Sequence, residues 1–362
     1  MPVKIPACLS PPRALLAILT TLPMLGHAEE IQVADPVQLE AALSKLKKGT
    51  VIKIGPGDYP GGLTVARIEN LTIAALDPKH PPHFKGGACA WQFSRCPGLT
   101  LRHLRLSGQT TNGLNLDDGG DFKNLVKDTT LEHINISDIG PRGNHDGIKC
   151  SGLDSLIIRH CALTGWGGQG IDLVGCHHTT ITDCALTGKA GFSATAGIQI
   201  KGGSSQVTVE KCHFTNAGER PLNLGGSTDP AFFRPQGAKH EASQLIVRNN
   251  IIEGSLCSAA FVGVNGAEFT GNTLLFPGKW IFRILQESQD PQFTPCRNVL
   301  IRANRIVFHR SQIQTEINIG PGTAPDTFRF EKNQWFAEGR PHASQPTLPT
   351  KEIEATYGVD PR

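Results

Sequence analysis

The sequence predicts an all-β solenoid, a single-stranded right-handed parallel β-helix closed at its start by a capping helix. Three observations carry this reading. One short pattern (apolar, any, apolar, any, any, key residue, any, apolar) recurs eight times between Leu99 and Trp335. Its key position falls at Leu104, Ile134, Cys161, Cys184, Cys212, Asn250, Asn304 and Asn333, with a weaker copy at Asn272. The steps range from 22 residues (Asn250 to Asn272) to 38 (Cys212 to Asn250), the length of one solenoid rung. Second, the apolar residues within each copy alternate with period two, which is the period of a strand. Third, 40 glycines and only 2 tyrosines, with little helical periodicity, fit many short strands joined by tight turns.

Taken in order, the chain opens on an export signal. Lys4 and Arg13 precede the apolar run Ala14 to Leu25, and Gly26-His27-Ala28 supplies small residues before a cut. Residues 1–28 are therefore expected to be removed, leaving a secreted or periplasmic protein with no membrane-spanning stretch in the mature chain. Leu39, Ala42, Leu43 and Leu46 then recur at helical spacing between Pro36 and Lys48, with Asp35 as cap. This helix would plug the open end of the coil, where a bare strand edge invites aggregation. The first strand follows at Gly49 to Ile54, turned by Gly55-Pro56-Gly57-Asp58-Tyr59. The β-helix is expected over residues 29–336, and the Pro-rich, repeat-free segment 337–362 as a surface tail.

From Leu131 onward each rung carries a second strand: Gly147-Ile148-Lys149-Cys150, Gly170-Ile171-Asp172-Leu173, Gly197-Ile198-Gln199-Ile200, Pro221-Leu222-Asn223-Leu224, Val262-Gly263-Val264, Phe282-Arg283-Ile284 and Ile317-Asn318-Ile319. The apolar residues point inward, so alternation predicts an outward column of Lys149, Asp172, Gln199, Asn223, Gly263, Arg283 and Asn318, with Lys201 and Arg220 beside it. Rungs stack about 4.8 Å apart, and residues remote in sequence then form one polar stripe. The longest insertion, Gly225 to His240, follows the most polar rungs and is placed to wall a groove. Phe232 and Phe233 either stack on sugar rings there or pack on the coil.

The cysteines are not a disulfide framework. Of 10, Cys8 leaves with the signal, and Cys161, Cys184 and Cys212 share the key position as a buried thiol column that Asn250, Asn272 and Asn304 continue. Cys89 with Cys96, and less strongly Cys257 with Cys296, are the expected bridges. No pair has CxxC spacing, which excludes a zinc-thiolate site. The formal charge of +3 is too mild to demand nucleic acid, and suits an acidic polysaccharide if the bases gather on one face. Asp117 to Asp121 reads as a flexible acidic loop, His177-His178 as a solvated turn, and His145 as an exposed turn histidine.

The helix, strand and Pro-Gly-x-Tyr turn at the N-terminus resemble the cap of secreted β-helix polysaccharide lyases and epimerases. Within Gly197 to Gly226 a lysine and an arginine fall on successive rungs, which resembles the β-helix alginate and chondroitin lyases. That resemblance implies Lys201 as base and Arg220 as the arginine; the stripe itself supplies Lys149, Asp172, Gln199, Asn223 and Arg283 as the expected substrate-binding residues. The chemistry is coherent: β-elimination requires that a uronate carboxylate be neutralised, the adjacent hydrogen removed, and the glycosidic oxygen helped to leave. Those lyases commonly hold calcium through carboxylates just upstream of the lysine, but Ser193-Ala194-Thr195-Ala196-Gly197 has none. No cofactor is therefore expected, with calcium left open, and either neutralisation falls to arginine, Arg220 or Arg283, or the reaction is a different one. A second string, Asn144-His145-Asp146-Gly147-Ile148, looks like the first motif of β-helix polygalacturonases, although Gly167-Gly168 stands where their carboxylate pair would be. The expected function is a monomeric lyase acting on an acidic polysaccharide or oligosaccharide. The alternatives are a glycoside hydrolase working through Asp146 and Asp172, or a non-catalytic glycan-binding β-helix.

Overall fold

A computed structural model describes residues 29–362, so the expected export signal lies outside the described residues. The chain winds into a coil in which each rung adds a strand to one ten-stranded sheet and further strands to the remaining walls. The ten stacked strands run in chain order: β1 (Leu63–Ala66), β2 (Trp91–Ser94), β3 (Leu114–Asp117), β4 (Ile148–Ser151), β5 (Gln169–Val174), β6 (Ala196–Lys201), β7 (Arg220–Gly225), β8 (Cys257–Val262), β9 (Trp280–Leu285) and β10 (Ile317–Ile319). Each pairs in parallel with its neighbours, as strands joined by full crossovers must.

The sequence repeat is the register of the opposite wall. Leu101, Leu131, Ile158, Ile181, Val209, Val247, Phe269, Ile301 and Phe330 are successive partners, all buried. The weaker copy through Phe269 and Asn272 is thus a full rung. Before each key residue the backbone takes a left-handed turn, for instance at His133, His160, Asp183, Lys211 and Asn249, which bends the chain around a corner and aims the next side chain inward. At these corners the asparagines form a continuous ladder. Each Oδ1 accepts the preceding rung's backbone N–H, from Cys212 N to Asn250 (2.9 Å) through to Asn304 N to Asn333 (3.0 Å). Each amide in turn donates to a core-facing carbonyl, which satisfies polar groups that burial would otherwise strand.

Both ends are closed. The helix α1 (Pro36–Leu43) is shorter than the sequence pattern suggests. Asp35 caps it by accepting from Gln38 N at 2.8 Å, and Leu39 and Ala42 enter the core beside Val33 and Ile52. A strand the sequence reading missed, Glu30–Val33, precedes it and pairs with Val51–Ile54. At the other end the segment after Ala337 returns to the coil: Thr356–Tyr357 pairs with Gln334–Trp335, and Ile353 bridges Glu331. Glu352 caps the asparagine ladder, accepting from Asn333 Nδ2 (2.7 Å) and Trp335 Nε1 (2.9 Å), and burial raises its pKa.

All nine described cysteines are free thiols, which corrects both expected bridges. Cys96 points into the core, its Sγ bonded to the Val65 and Ser94 carbonyls, whereas Cys89 sits half-buried in a turn against Thr111. Cys257 meets the Glu219 carbonyl and Cys296 the Phe261 carbonyl, and burial pushes both thiols up to about 12. They behave as small buried hydrophobes.

Candidate functional site

The outward column of the ten-stranded sheet is read directly from its register. Asn115, Lys149, Asp172, Gln199, Asn223, Ala260, Arg283 and Asn318 stand one above another. Ala260 takes the place expected for Gly263. Gly263 has φ +65°, ends β8 and turns the chain toward the next wall, so alternation counted through it goes out of phase.

At one end of the stripe lies a knot of four charges. Lys149 Nζ contacts Asp172 Oδ2 at 2.5 Å and Asp146 Oδ2 at 3.1 Å, while Lys201 Nζ stands 3.5 Å from Asp172 Oδ1. Both carboxylates are wholly buried, whereas the Lys149 and Lys201 side chains remain 24% and 16% exposed. Asp146 is locked by its other oxygen, which accepts from Gln169 N at 2.9 Å, and its own N–H reaches Asn112. Burial and the neighbouring Asp172 raise the Asp146 pKa. For Lys149 burial favours the neutral amine, but Asp172 and Asp146 outweigh it and hold the ammonium above its ordinary value. Asp172 Oδ1 and Gln169 Oε1 are buried acceptors without a hydrogen-bond donor.

Lys201 and Arg220 do not sit side by side along their strands. Lys201 ends β6, opposite Val174, and Arg220 begins β7, opposite Ala196. Each side chain nevertheless leans along its own strand onto the stripe: Lys201 Nζ donates to Gln199 Oε1 and Arg220 Nη1 to Asn223 Oδ1, both at 3.3 Å. Gln199 and Asn223 are register partners, so the two cationic tips bracket one amide pair. Arg220 Nη1 also meets Glu287 Oε1 at 2.9 Å. Two rungs beyond Asn223, Arg283 lies over the Trp280 ring at 4.5 Å and donates to Asn318 at 2.9 Å. Burial and the charge of Arg220 lower its pKa. The predicted binding residues thus share one face, split into a Lys-Asp knot and an arginine-tryptophan half.

The groove wall rests on two acids that sequence reasoning passed over. Asp118, expected in a flexible loop, is fully buried and takes Arg234 in a two-pronged pair at 2.7 and 2.8 Å, with Phe122 against the guanidinium at 4.2 Å. Glu241 is buried at the foot of the insertion and accepts from Gly202 N, Thr228 N, Thr228 Oγ1 and Ser288 Oγ. It ties the insertion and the loop after β9 to the turn that carries Lys201. Phe233 is buried against Phe293, whereas Phe232 is 55% exposed. The expected solvated histidines are also engaged: His177 bonds Ser205 and His178 bonds Asp154. Only the Pro-Gly-rich loop length, not the residue types, signalled these anchors. Among the described residues no group of three or more His, Cys, Asp or Glu side chains is arranged to hold a metal ion, and no helix is long and apolar enough to cross a membrane.

Residues 86–275 match the family described as right handed beta helix region. The chain belongs to that family. No curated protein matches it by sequence. Among solved structures, this right-handed β-helix chain is similar to an alginate lyase from Paenibacillus sp., with 18% identity, a TM-score of 0.57, and 82% of this chain and 99% of that one covered. It is also similar to a lacto-N-biosidase from Eubacterium ramulus, with 11% identity, a TM-score of 0.61, and 91% and 68% covered. A third is the A-module of an Azotobacter vinelandii mannuronan C-5 epimerase, with 12% identity, a TM-score of 0.57, and 89% and 93% covered. At such identities the β-helix chain shares their architecture, and the reaction has to be argued from its own side chains.

Proposed function

We propose that this protein is an exported polysaccharide lyase that cleaves an acidic, uronate-containing polysaccharide by β-elimination. The observation that carries the reading is that two cationic tips, Lys201 and Arg220, are hydrogen-bonded to one pair of register partners, Gln199 and Asn223. In this mechanism Arg220 and Arg283 neutralise the uronate carboxylate, which acidifies the hydrogen on the neighbouring carbon. Lys201 is the base that takes that hydrogen as a proton, after its own ammonium proton has passed to solvent. The electron pair left behind forms the carbon–carbon double bond as the bond to the glycosidic oxygen breaks, and the oxygen leaves with a proton from Arg220 or solvent. Lys149 takes the shorter of the two ion-pair contacts to Asp172, so that the carboxylate orients Lys201 through the longer one. Gln199 and Asn223 position the sugar, and the wholly buried Asp172, predicted to bind substrate, instead positions the base.

Arginine does here what calcium does in the lyases the sequence resembles. The carboxylates nearest Lys201, Asp172 and Asp146, are already engaged with ammonium groups, which is a poor donor set for a divalent cation. The same burial weighs against hydrolysis, because neither carboxylate has surface with which to reach a glycosidic oxygen. The test is the absorbance of unsaturated uronate ends on alginate, pectate and glycosaminoglycans. Lys201→Ala is expected to lower the rate by roughly 10²- to 10⁴-fold, the usual worth of a general base. Reducing ends released without that absorbance would replace the lyase by a hydrolase, and binding without cleavage would leave a glycan-binding β-helix.

A further inference from the structure

The arginine half of the stripe holds more positive charge than its own acids balance. Arg220 is ion-paired to Glu287 at 2.9 Å, but Arg283 has no carboxylate partner among the described residues; its contacts are the neutral Asn318 and the Trp280 face. Lys279 covers the same indole at 4.3 Å. Glu219 lies in the electrostatic neighbourhood of Arg283 yet is ion-paired to neither arginine. Between the two arginine rungs the stripe carries only the methyl group of Ala260, which is itself buried, so no acid of the column lies between them.

Glu287 is placed differently from the rest of the site. It is not on the sheet but in the loop after β9, and its side chain is 35% exposed. Both neighbours are pinned: Gln286 Oε1 accepts from Cys296 N at 2.9 Å, and Ser288 Oγ donates to Glu241 at 2.9 Å. The loop is therefore held while the Glu287 side chain alone is able to swing outward, leaving the Arg220 fork open to another carboxylate.

We propose that Glu287 is an internal competitor that occupies the carboxylate seat of Arg220, beside the unpartnered Arg283, and that a uronate carboxylate displaces it on binding. The inference rests on the acidic-substrate reading above and adds to it a residue that sets affinity and selectivity for charge. A seat already filled by a protein carboxylate binds an anion less tightly than an empty one, but it also rejects neutral sugars, which offer Arg220 nothing in exchange.

The experiment is calorimetric titration of wild type and Glu287→Gln with tetramers of mannuronate, guluronate and galacturonate, and with the same tetramers after reduction of their carboxyl groups to alcohols. Glu287→Gln keeps the size and removes the charge. It is expected to tighten binding of the preferred acidic tetramer by about two- to fivefold, the worth of a partly exposed ion pair, and to leave the reduced tetramer unchanged. Equal tightening of both tetramers, or no tightening of the acidic one, would overturn the competitor role. Wild type that binds reduced tetramers and no acidic one would instead overturn the acidic-substrate reading, and the competitor with it.

Discussion

At the scale of single residues, the stripe is governed by who neutralises whom. Asp146 and Asp172 are fully buried, and Lys149 is the cation that makes both tolerable. Lys149→Met keeps the aliphatic stem and strips that charge, so two carboxylates lose their principal partner. The expected cost is about 3–5 kcal/mol by urea unfolding at pH 8. The cost should shrink in acid. Asp146 already has its pKa raised by burial and by Asp172, and a carboxyl with a raised native pKa contributes stability at low pH that is lost as pH rises through that value. Unfolding of the variant at pH 5 and pH 8 checks this, and an equal deficit at both would assign the loss to packing. Asp172 and Lys149 were legible in sequence because alternation alone points them outward. Their mutual contact was also within reach, since partners on adjacent rungs are register neighbours. Asp146 was picked out only by the Asn144–Ile148 string and not by alternation, because it precedes β4 in a turn where no period applies.

At the scale of elements, the corner column joins two kinds of ladder. Cys161, Cys184 and Cys212 fill space, and their thiols donate weakly to carbonyls at 3.3 Å and beyond. The asparagines are structural in a stronger sense: Asn272 Oδ1 accepts from both the backbone N–H and the side-chain amide of Asn250, and its own amide feeds Val247 and Asn304. Asn272→Ala is expected to cost about 3 kcal/mol, because buried donors and acceptors on three rungs lose partners together. Cys184→Ala should cost about 1 kcal/mol, the loss of a small apolar group. Urea midpoints at constant m-value decide it, and equal costs would mean that the ladder is only packing. The column itself was legible, since it is strictly periodic. The choice of strand was less so: Val262-Gly263-Val264 obeys the apolar alternation of a strand, yet Gly263 turns and Ala260 takes the stripe position.

At the scale of the whole molecule, the solenoid is a sum of rungs whose weak points are its ends and its loops. The helix, the returning tail and the Asp118–Arg234 and Glu241 anchors cover these points. The same compactness leaves a pH signature. Burial lowers the pKa of His83, His103, His177 and His240, with further lowering of His103 by His133, which stacks on it at 4.6 Å. A histidine whose native pKa is depressed lets the unfolded chain take up protons first. Stability is therefore full above the unfolded value of about 6.5 and falls as pH drops through it toward the native values. The thermal midpoint is expected to fall between pH 7 and pH 5. His177→Asn should flatten part of that slope, because burial is the main cause of its lowered pKa and its ring is bonded to the Ser205 hydroxyl rather than to a carboxylate. A midpoint that holds or rises over that range would show that these imidazoles titrate alike in both states.

Sequence alone determined the coil, its rung length, the inward column of Leu, Ile, Cys and Asn, and the outward position of Lys149, Asp172, Gln199, Asn223 and Arg283, because strand alternation and stacking are local rules repeated many times. Tertiary structure decided what periodicity does not encode. It set the free thiols by the directions of their side chains, and the Asp118–Arg234 anchor by bringing together residues more than a hundred positions apart. It also seated Glu287 on Arg220 and turned the tips of Lys201 and Arg220 toward one amide pair. Those contacts depend on where loops land and which way long side chains lean, and both are settled only when the whole coil is wound.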